Sequence, residues 1–375
     1  MAVVQKSLPQ YRQRFFELLR KQLDEIGIEF VLIYGQPGSA DATKKDTGEL
    51  SWAHKIHNKI FRFRSREAYW QPCLGLLRNV DLVIVEQANK LLINYVLLVQ
   101  HLLGVRKLAF WGHGKNFQAH GGNRFSELVK RFISRRVHWW FAYNELSARV
   151  VEDNGFPGKR ITSVQNAVDT RRLVEVRRNT DPGIIEGLTG ELGLKGRNVC
   201  IYVGGMYAEK RIKFLLEACV LVREKIPDFE MIFIGSGIDK SLVEEAAYEH
   251  NWVRYIGPKF DKEKVPYFML SKLSLMPGAV GLVVLDAFAL EVPLVTTAVS
   301  SHGPEIEYLE DDVNGVVVAE TEDPATYAST VACLLKDDGI RARLVEGCRA
   351  SRDRYTVEEM AERFTTGILA ALERK

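Results

Sequence analysis

Short runs of consecutive apolar residues alternate along this chain with longer stretches in which apolar residues recur every three or four positions. The short runs, bounded by turn residues, predict β-strands covered on both faces, and the longer stretches predict amphipathic helices. In the first half the predicted strands are residues 2–5, 30–34, 81–85, 107–111, 139–143 and 161–164. Helices predicted over residues 12–26 and 126–136 would cover these strands, so we expect an α/β domain.

The strand pattern stops between about residues 170 and 197, where the chain is charged and contains the turn Asp181-Pro182-Gly183. A second series of predicted strands follows, over residues 199–203, 231–234, 253–256, 273–276, 294–297 and 316–318. We therefore predict two doubly wound, Rossmann-like α/β domains, over residues 1–172 and 198–350, with a linker over 173–197 and a closing C-terminal helix within 351–375. Because such sheets bind ligands at the carboxyl ends of their strands, we expect a ligand cleft where the two domains face each other.

Composition agrees with two folded domains. The chain has 375 residues, of which 46% are apolar and 26% charged, and these fractions are typical of globular rather than disordered chains. Lys and Arg number 51 against 48 Asp and Glu, and the net charge of +3 does not indicate a nucleic-acid-binding protein. The five cysteines are far apart and form no C-x-x-C pair, so neither a disulfide framework nor a metal site is expected.

The apolar stretches are too short or too interrupted for a signal peptide or a membrane span, so we expect a cytoplasmic protein. The most apolar stretch, residues 91–105, carries three polar residues and is predicted to be a buried core helix. Two basic stretches leave open both a solvated surface and a peripheral contact with anionic lipid at the inner membrane face. They are residues 61–66 and the predicted helix that contains Lys130, Arg131, Arg135 and Arg136.

The most informative stretch is residues 276–289, where a predicted strand ends in a glycine-containing turn and an apolar helix begins after Gly281. The amides of Leu282 and Val283 would be first-turn donors at the positive end of that helix, which predicts an anion site. Asp286 follows on the same face, and a carboxylate suits the hydroxyls of a ribose. The alternative is a buried junction between strand and helix in which Asp286 is a satisfied polar residue.

A second strand, turn and helix start lies at residues 202–211, with Gly205 in the turn and Lys210 near the first turn of the helix. A positive charge at that end opposes the helix dipole, and a phosphate beside it would remove the conflict. The alternative is an exposed basic residue paired with Glu209 or Glu217.

Three weaker candidates also follow predicted strands. Gly235 belongs to a lone Gly-x-Gly turn that fails the full dinucleotide-binding pattern. His113 stands between glycines, where its imidazole could hold a hydroxyl or a sugar oxygen, or could be a structural turn residue. Arg12, after the first strand, would face the expected cleft or be an ordinary exposed loop residue. No Asp-x-Asp pair that would hold a divalent metal on a diphosphate occurs in the sequence.

Taken in order, these motifs resemble the retaining glycosyltransferases of family 4, which have the GT-B fold, over nearly the whole chain. In that family a lysine matching Lys210 contacts the donor diphosphate, the turn matching Gly281, Leu282 and Val283 binds the distal phosphate, and the acidic residue matching Asp286 holds the donor ribose. The histidine matching His113 lies near the reacting sugar. Residues 165–169 resemble the family's interdomain hinge, and residues 302–315 resemble its closing donor-domain motif.

Three positions depart from the pattern of that family. The first of its two glutamates is replaced here by Gly278 and the second by the shorter Asp286, which puts the contact to the donor sugar in question. The arginine usually found in the turn before Lys210 is replaced by Gly205, and Arg211 or Arg12 would have to supply the missing charge.

The resemblance implies a metal-independent hexosyltransferase without cofactor. It would move a sugar from a nucleotide-diphosphate donor to the hydroxyl of a glycan or lipid-linked acceptor, with retention, in polysaccharide or glycolipid assembly. Two alternatives stay open, because fold does not determine function. One is a nucleotide-sugar epimerase or hydrolase of the same fold, and the other is a nucleotide-sugar-binding protein that has lost catalysis.

Overall fold

The computed structural model describes residues 1–38, 46–63, 66–114 and 133–374, and the chain divides into two compact units. The first unit comprises Met1–Val168 and Val357–Lys375, and the second comprises Asp169–Thr356. Each unit contains its own parallel sheet covered by helices. The predicted pair of doubly wound α/β domains is therefore confirmed at the level of fold class.

The first unit contains strands β1 (Ala2–Gln5), β2 (Val31–Tyr34), β3 (His54–Lys55), β4 (Lys59–Phe63), β5 (Arg66–Trp70), β6 (Leu82–Glu86), β7 (Lys107–Gly112), β8 (Trp139–Ala142) and β9 (Ile161–Ser163). The second contains β10 (Asn198–Val203), β11 (Phe229–Ile234), β12 (Val253–Gly257), β13 (Leu273–Leu275), β14 (Leu294–Thr297) and β15 (Gly315–Val318). Each strand predicted from the sequence is present, with ends that agree to within two residues.

The helices of the described residues are α1 (Gln13–Glu25), α2 (Ile93–Leu102), α3 (Glu145–Asp153), α4 (Thr170–Asn179), α5 (Pro182–Glu191), α6 (Ile212–Lys225), α7 (Lys240–Glu249), α8 (Val265–Met269), α9 (Val283–Ala289), α10 (Pro324–Lys336), α11 (Asp338–Arg352) and α12 (Val357–Glu373). Short 3-10 turns lie at Gln10–Arg12, Leu74–Leu77, Gly158–Arg160, Ala208–Lys210, Asp261–Lys264 and Pro304–Tyr308.

Both large sheets have a point at which the strand order reverses. The first sheet runs β3-β2-β1-β6-β7-β8-β9, and the second runs β12-β11-β10-β13-β14-β15. The reversal falls between β1 and β6 in the first sheet and between β10 and β13 in the second. Loops that leave neighbouring strands at such a point diverge to opposite faces of the sheet, and the crevice between them is where ligands bind in this class of fold.

The first unit also contains elements that the apolar pattern did not predict. Strands β4 and β5 form an antiparallel hairpin within the basic stretch, where Arg62 pairs with Glu67 at 3.2 Å. Charged residues interrupt the apolar residues of both strands, so the hairpin has no continuous apolar run, although Tyr69 of β5 is buried. Arg64, Ser65, Lys130, Arg131 and most of the helix predicted over 126–136 lie outside the described residues.

The helix predicted over residues 91–105 is shorter and less buried than expected. Helix α2 buries Ile93 and Leu97, but Leu102 is 59% exposed and the next residue, Leu103, is 74% exposed. The prediction of a buried core helix was wrong for its C-terminal part, because hydropathy alone does not say which apolar residues of a helix face solvent. No helix in the described part of the chain combines the length and the apolarity needed to cross a membrane.

The structure divides the chain differently from the predicted boundaries. The predicted linker over residues 173–197 contains α5 and most of α4. Asp181 of the predicted turn is the N-cap of α5, where its carboxylate accepts from the amide of Gly183, and Asp169 caps α4 by accepting from the amide of Arg172. Helix α12 returns to the first unit, where its Phe364 stacks on Phe141 with ring centroids 4.4 Å apart. The sequence pattern showed that this helix is amphipathic but not which sheet its apolar face covers.

Candidate functional site

Two loops meet at the reversal point of the second sheet, one after β10 and one after β13. The amide of Ala279 donates a hydrogen bond of 2.7 Å to the carbonyl oxygen of Glu209. A Cβ atom on Gly278 would lie only 2.3 Å from that same oxygen, so the two backbones pack too closely for any side chain at this position. This close packing therefore explains why residue 278 is a glycine, since a carboxylate side chain fits there only if the two loops separate.

Lys210 ends the short turn Ala208–Lys210 and points beneath the second loop. Its side chain is only 7% exposed, and its ammonium donates to the carbonyl oxygen of Ala279. The thioether sulfur of Met276 lies 3.8 Å from Nζ, and the Tyr207 ring lies 5.6 Å away. The alternative that Lys210 is an exposed surface residue is wrong.

The environment of Lys210 disfavours its positive charge. Burial lowers the pKa of Lys210 to about 8, and this effect exceeds the opposing influence of the Glu305 and Glu209 carboxylates, which raise it. A ligand that brings negative charge close to Nζ would reverse this penalty.

Helix α9 begins at Val283, four residues after the carbonyl group that Lys210 contacts, and no side chain of the described residues caps it. The first amides of an α-helix have no acceptor within the helix, and they carry the positive end of its dipole. A Cβ atom on Gly281 would meet no atom of the described residues within 4 Å, so space is open beside the helix start. The buried ammonium and the open helix start thus bring two sources of positive potential to one place.

Asp286 lies in α9 as predicted, but it is buried and paired. Its Oδ2 accepts a hydrogen bond of 2.6 Å from Nζ of Lys264, and the two side chains are only 9% and 15% exposed. Burial raises the pKa of Asp286, while Lys264 acts in the opposite direction. This pairing matches the alternative of a satisfied buried carboxylate, and the ribose contact stays a prediction. Sequence reasoning missed Lys264, which lies in another element 22 residues earlier.

His302 is a second residue whose role the sequence did not show. Its Nδ1 accepts from the amide of Val280 at 3.1 Å, and its Nε2 donates to the carbonyl oxygen of Thr297 at 2.7 Å. The hydroxyl of Thr297 in turn donates to Pro277 at 2.6 Å. These bonds hold the turn before α9 in one conformation, which requires His302 to be neutral with its proton on Nε2.

Local packing accounts for two of the glycines that were predicted to contact the donor, Gly235 and Gly205. A Cβ atom on Gly235, whose φ is +140°, would lie 1.8 Å from the carbonyl oxygen of Gly204. The Tyr207 ring covers Gly205, where a Cβ atom would lie 2.8 Å from Cε1. Close approach between the turns after β10 and β11 is therefore sufficient to require Gly235, whereas the neighbour of Gly205 is the Tyr207 ring of its own turn. A role of either glycine in donor binding stays a prediction.

The side chain of Arg211 is held by contacts with other protein groups. Its backbone adopts a left-handed conformation with φ of +57°, and its guanidinium contacts the Thr297 hydroxyl at 3.4 Å and the Glu322 carboxylate at 3.3 Å. The guanidinium also lies 4.1 Å from the centroid of the Phe214 ring. These contacts account for the position of the Arg211 side chain without a bound phosphate. The charge that was predicted to compensate for Gly205 is therefore already paired within the protein.

The other two predicted residues, Arg12 and His113, lie in the first unit. The imidazole of His113, just after β7, packs edge-on against the Tyr143 ring with centroids 4.1 Å apart. Arg12, just before α1, is 3% exposed and lies over the rings of Trp111 and Tyr143, at 4.5 and 5.7 Å from their centroids. The alternative of an exposed loop arginine is wrong, and both residues contact the same tyrosine.

This chain is similar in sequence to part of a known family model and to parts of several curated proteins. Residues 197–337 match the family model described as "Glycosyl transferases group 1", a range that includes Lys210 and Asp286. The chain is 31% identical over 194 residues to D-inositol 3-phosphate glycosyltransferase of Salinispora arenicola, covering 48% of this chain and 42% of that protein. It is 26% identical over 239 residues to spore coat protein SA of Bacillus subtilis, covering 54% and 63%. The chain thus spans about half the length of the curated relatives it matches.

A solved structure resembles the whole chain. HepE of Anabaena, crystallised in complex with UDP, superposes with a TM-score of 0.72 at 14% identity, covering 98% of this chain and 100% of HepE. HepE in complex with UDP-glucose superposes with a TM-score of 0.70. At this identity the likeness concerns the fold, and it confirms the predicted fold over both units.

Proposed function

We propose that this chain, which has the GT-B fold and matches the group 1 glycosyl transferases over residues 197–337, transfers a sugar from a nucleotide-diphosphate donor to an acceptor hydroxyl. The proposal extends to retention at the anomeric carbon, a hexose as the transferred sugar, independence of metal, and a role in polysaccharide or glycolipid assembly. The similarity to a family of transferases and the complexes of HepE with UDP and UDP-glucose support a nucleotide-sugar donor.

One observation carries the proposal: the buried ammonium of Lys210 donates to Ala279 in the loop that leads into α9, and space is open at Gly281 in the same loop. Positive potential from a charged side chain and from helix amides attracts an anion with several oxygens. A diphosphate satisfies both donors at once. It also relieves the unfavourable burial of the Lys210 charge.

The same donors explain how transfer would be accelerated. Negative charge grows on the leaving diphosphate as the glycosidic bond breaks, so donors already in place stabilise the transition state more than the ground state. Lys210 and the amides of Leu282 and Val283 take this role, and Lys210 supplies charge that a divalent metal supplies in other enzymes. Asp286, oriented by Lys264, accepts from the ribose hydroxyls, and His113 positions the sugar or the acceptor.

The proposal is tested with Lys210→Met, which removes the charge at nearly constant volume, and with Lys213→Ala as a control at an exposed lysine of the same segment. The full chain is titrated with UDP, GDP, ADP and CDP, without metal, by calorimetry and thermal shift. We expect one nucleotide to bind the wild type and the control alike. Loss of a charged hydrogen bond predicts about 10- to 100-fold weaker binding to Lys210→Met.

Product analysis with the corresponding nucleotide sugar separates the remaining functions. A new glycoside with the anomeric configuration of the donor supports the transferase. Free sugar or an epimerised nucleotide sugar would instead identify a hydrolase or an epimerase, and binding without any nucleotide release would identify a binding protein. Failure of all four nucleotides to bind would remove the proposal.

A further inference from the structure

Arg12 carries a buried charge for which the described residues provide no oxygen acceptor. Its side chain is 3% exposed, yet within the described part of the chain its guanidinium has no carboxylate partner. Its one side-chain hydrogen bond there runs from Nη1 to the sulfur of Met360, at 3.6 Å. A guanidinium has five N–H donors and stays protonated at all ordinary pH values, so most of its hydrogen-bonding capacity is unused.

Aromatic rings replace oxygen acceptors around Arg12. The guanidinium carbon lies 4.5 Å from the centroid of the Trp111 ring, 5.1 Å from Tyr11 and 5.7 Å from Tyr143. Such contacts orient a guanidinium and compensate only part of the cost of removing it from water. The indole Nε1 of Trp111, itself buried, likewise has no acceptor among the described residues. Two neighbouring buried side chains therefore have hydrogen-bond donors without oxygen acceptors.

Arg12 and its neighbouring rings lie where this class of fold binds its ligands. Arg12 belongs to the loop that follows β1, and β1 and β6 are the strands between which the order of the first sheet reverses. Burial raises the pKa of Glu86, at the end of β6, and the hydrogen bond that its Oε1 accepts from the amide of Lys6 at 2.9 Å acts in the opposite direction, as to a lesser degree does the charge of Arg12. His113 and Arg12 both contact Tyr143, so the two groups are at most about 10 Å apart.

We propose that Arg12 binds an anionic group of the acceptor, a phosphate or a carboxylate, and places that acceptor beside His113. The inference rests on the proposed function, since it assigns the first unit to the acceptor. Paired oxygens of such a group match the fork of guanidinium donors, which the rings of Trp111 and Tyr143 hold in one orientation. The acceptor is therefore a sugar phosphate, a sugar acid or a lipid with a phosphate headgroup rather than a neutral glycan.

The test uses inorganic phosphate as the soluble probe, at constant ionic strength, and vesicles of phosphatidylcholine with or without phosphatidic acid as the lipid probe. Both are applied to the full chain saturated with the nucleotide that it binds, so that the second unit is occupied. The variants are Arg12→Gln and, as a matched control in the next turn, Arg14→Gln, whose arginine is about half exposed.

We expect at least one probe to bind the wild type and Arg14→Gln, and to bind Arg12→Gln at least tenfold more weakly. Phosphate binding in solution indicates a soluble acceptor, whereas binding only to acidic vesicles indicates a lipid headgroup. Equal binding to Arg12→Gln, or no binding of either probe, would overturn the inference. Nucleotide binding in the same samples reports on the proposed function separately, because it depends on Lys210 and not on Arg12.

A purely structural role for Arg12 predicts a different pattern. Arg12→Met removes an uncompensated buried charge and keeps the apolar stem, so we expect an unfolding temperature equal to or above that of the wild type. A clear fall in that temperature would mean that the cation holds the aromatic cluster together, and it would contradict the inference. Arg12→Lys, which keeps the charge with a single donor group, should recover part of the probe binding.

Discussion

Gly278 lies against the backbone of Glu209 so closely that a Cβ atom would stand 2.3 Å from the Glu209 carbonyl oxygen. In the family that this sequence resembles, a glutamate occupies the position of Gly278. In this chain the loops after β10 and β13 touch through their main chains at this position. Contacts to the donor sugar must then come from other residues than the one at 278.

Alanine at Gly278 should lower stability, whereas alanine at Gly281 should leave stability nearly unchanged and weaken nucleotide binding. Gly278→Ala forces the two loops apart, and overpacking of this kind lowers the free energy of unfolding by about 1–3 kcal/mol. Gly281→Ala meets open space, so we expect a stability change below about 0.5 kcal/mol together with weaker nucleotide binding. Urea denaturation and nucleotide titration of both variants check this, and a strongly destabilised Gly281→Ala would argue against an open site.

Donor binding should weaken in alkaline solution. The pKa of Lys210 is about 8 in the free protein, and a bound diphosphate raises it, so binding takes up a proton above pH 8. The nucleotide dissociation constant should rise by up to about tenfold per pH unit between pH 8 and the pKa of the bound state. Calorimetry at pH 7, 8 and 9 measures this change in the dissociation constant. Lys210→Met should have no such pH dependence, whereas Lys213→Ala should keep it.

Acidification should loosen the turn before α9 through His302. Burial lowers the pKa of His302, and the charge of Lys210 lowers it further, although the bond to Thr297 acts in the opposite direction. The unfolded chain therefore binds the proton first, so this contribution is complete above the unfolded pKa of about 6.5 and is lost as pH falls below it. Unfolding free energies between pH 7.5 and 5 measure this slope. His302→Gln should reduce it, and an unchanged slope would show that other histidines, such as His101 and His138, account for it.

Breaking the Lys264–Asp286 pair should cost more than an ordinary surface substitution. Lys264→Met leaves the buried carboxylate without its partner, which predicts a loss of about 3 kcal/mol of unfolding free energy. The control Lys262→Met, at an exposed lysine two residues earlier, should change stability by less than about 0.5 kcal/mol. A double-mutant cycle with Asp286→Asn measures the coupling, and a coupling near zero would contradict the pairing.

The C-terminal helix should be necessary for the first unit in particular. Phe364 of α12 is fully buried against Phe141 and Trp111, and Phe364→Ala predicts a loss of about 3–5 kcal/mol. Leu369→Ala, in the same helix but 37% exposed, is the control. Hydrogen exchange should show lost protection in β7 and β8, while β10 and β11 stay protected. Loss confined to the second unit would mean that the helix stabilises the other domain.

Strands and glycine turns were predictable because their signals are local. The alternation of apolar runs gave the strands of both large sheets except β3, and glycine marked the turns after β10, β11 and β13. The hairpin of β4 and β5 was not among the predicted strands because charged residues interrupt its apolar ones, although Tyr69 is buried. The linker was misplaced because Asp181 and Pro182, read as turn residues, cap and begin helix α5.

What the sequence determined by itself is therefore the two-part α/β fold and the candidate anion site, because strand periodicity and turn chemistry act between residues close in the chain. Only the tertiary structure decided which charges are buried and what they face. The contacts of Arg12 with Trp111 and of Lys264 with Asp286 join elements far apart in sequence, and α12 covers a sheet that was completed almost 200 residues earlier. Burial changes the energy of a charge far more than the identity of its sequence neighbours does, so these environments exist only once the chain has folded.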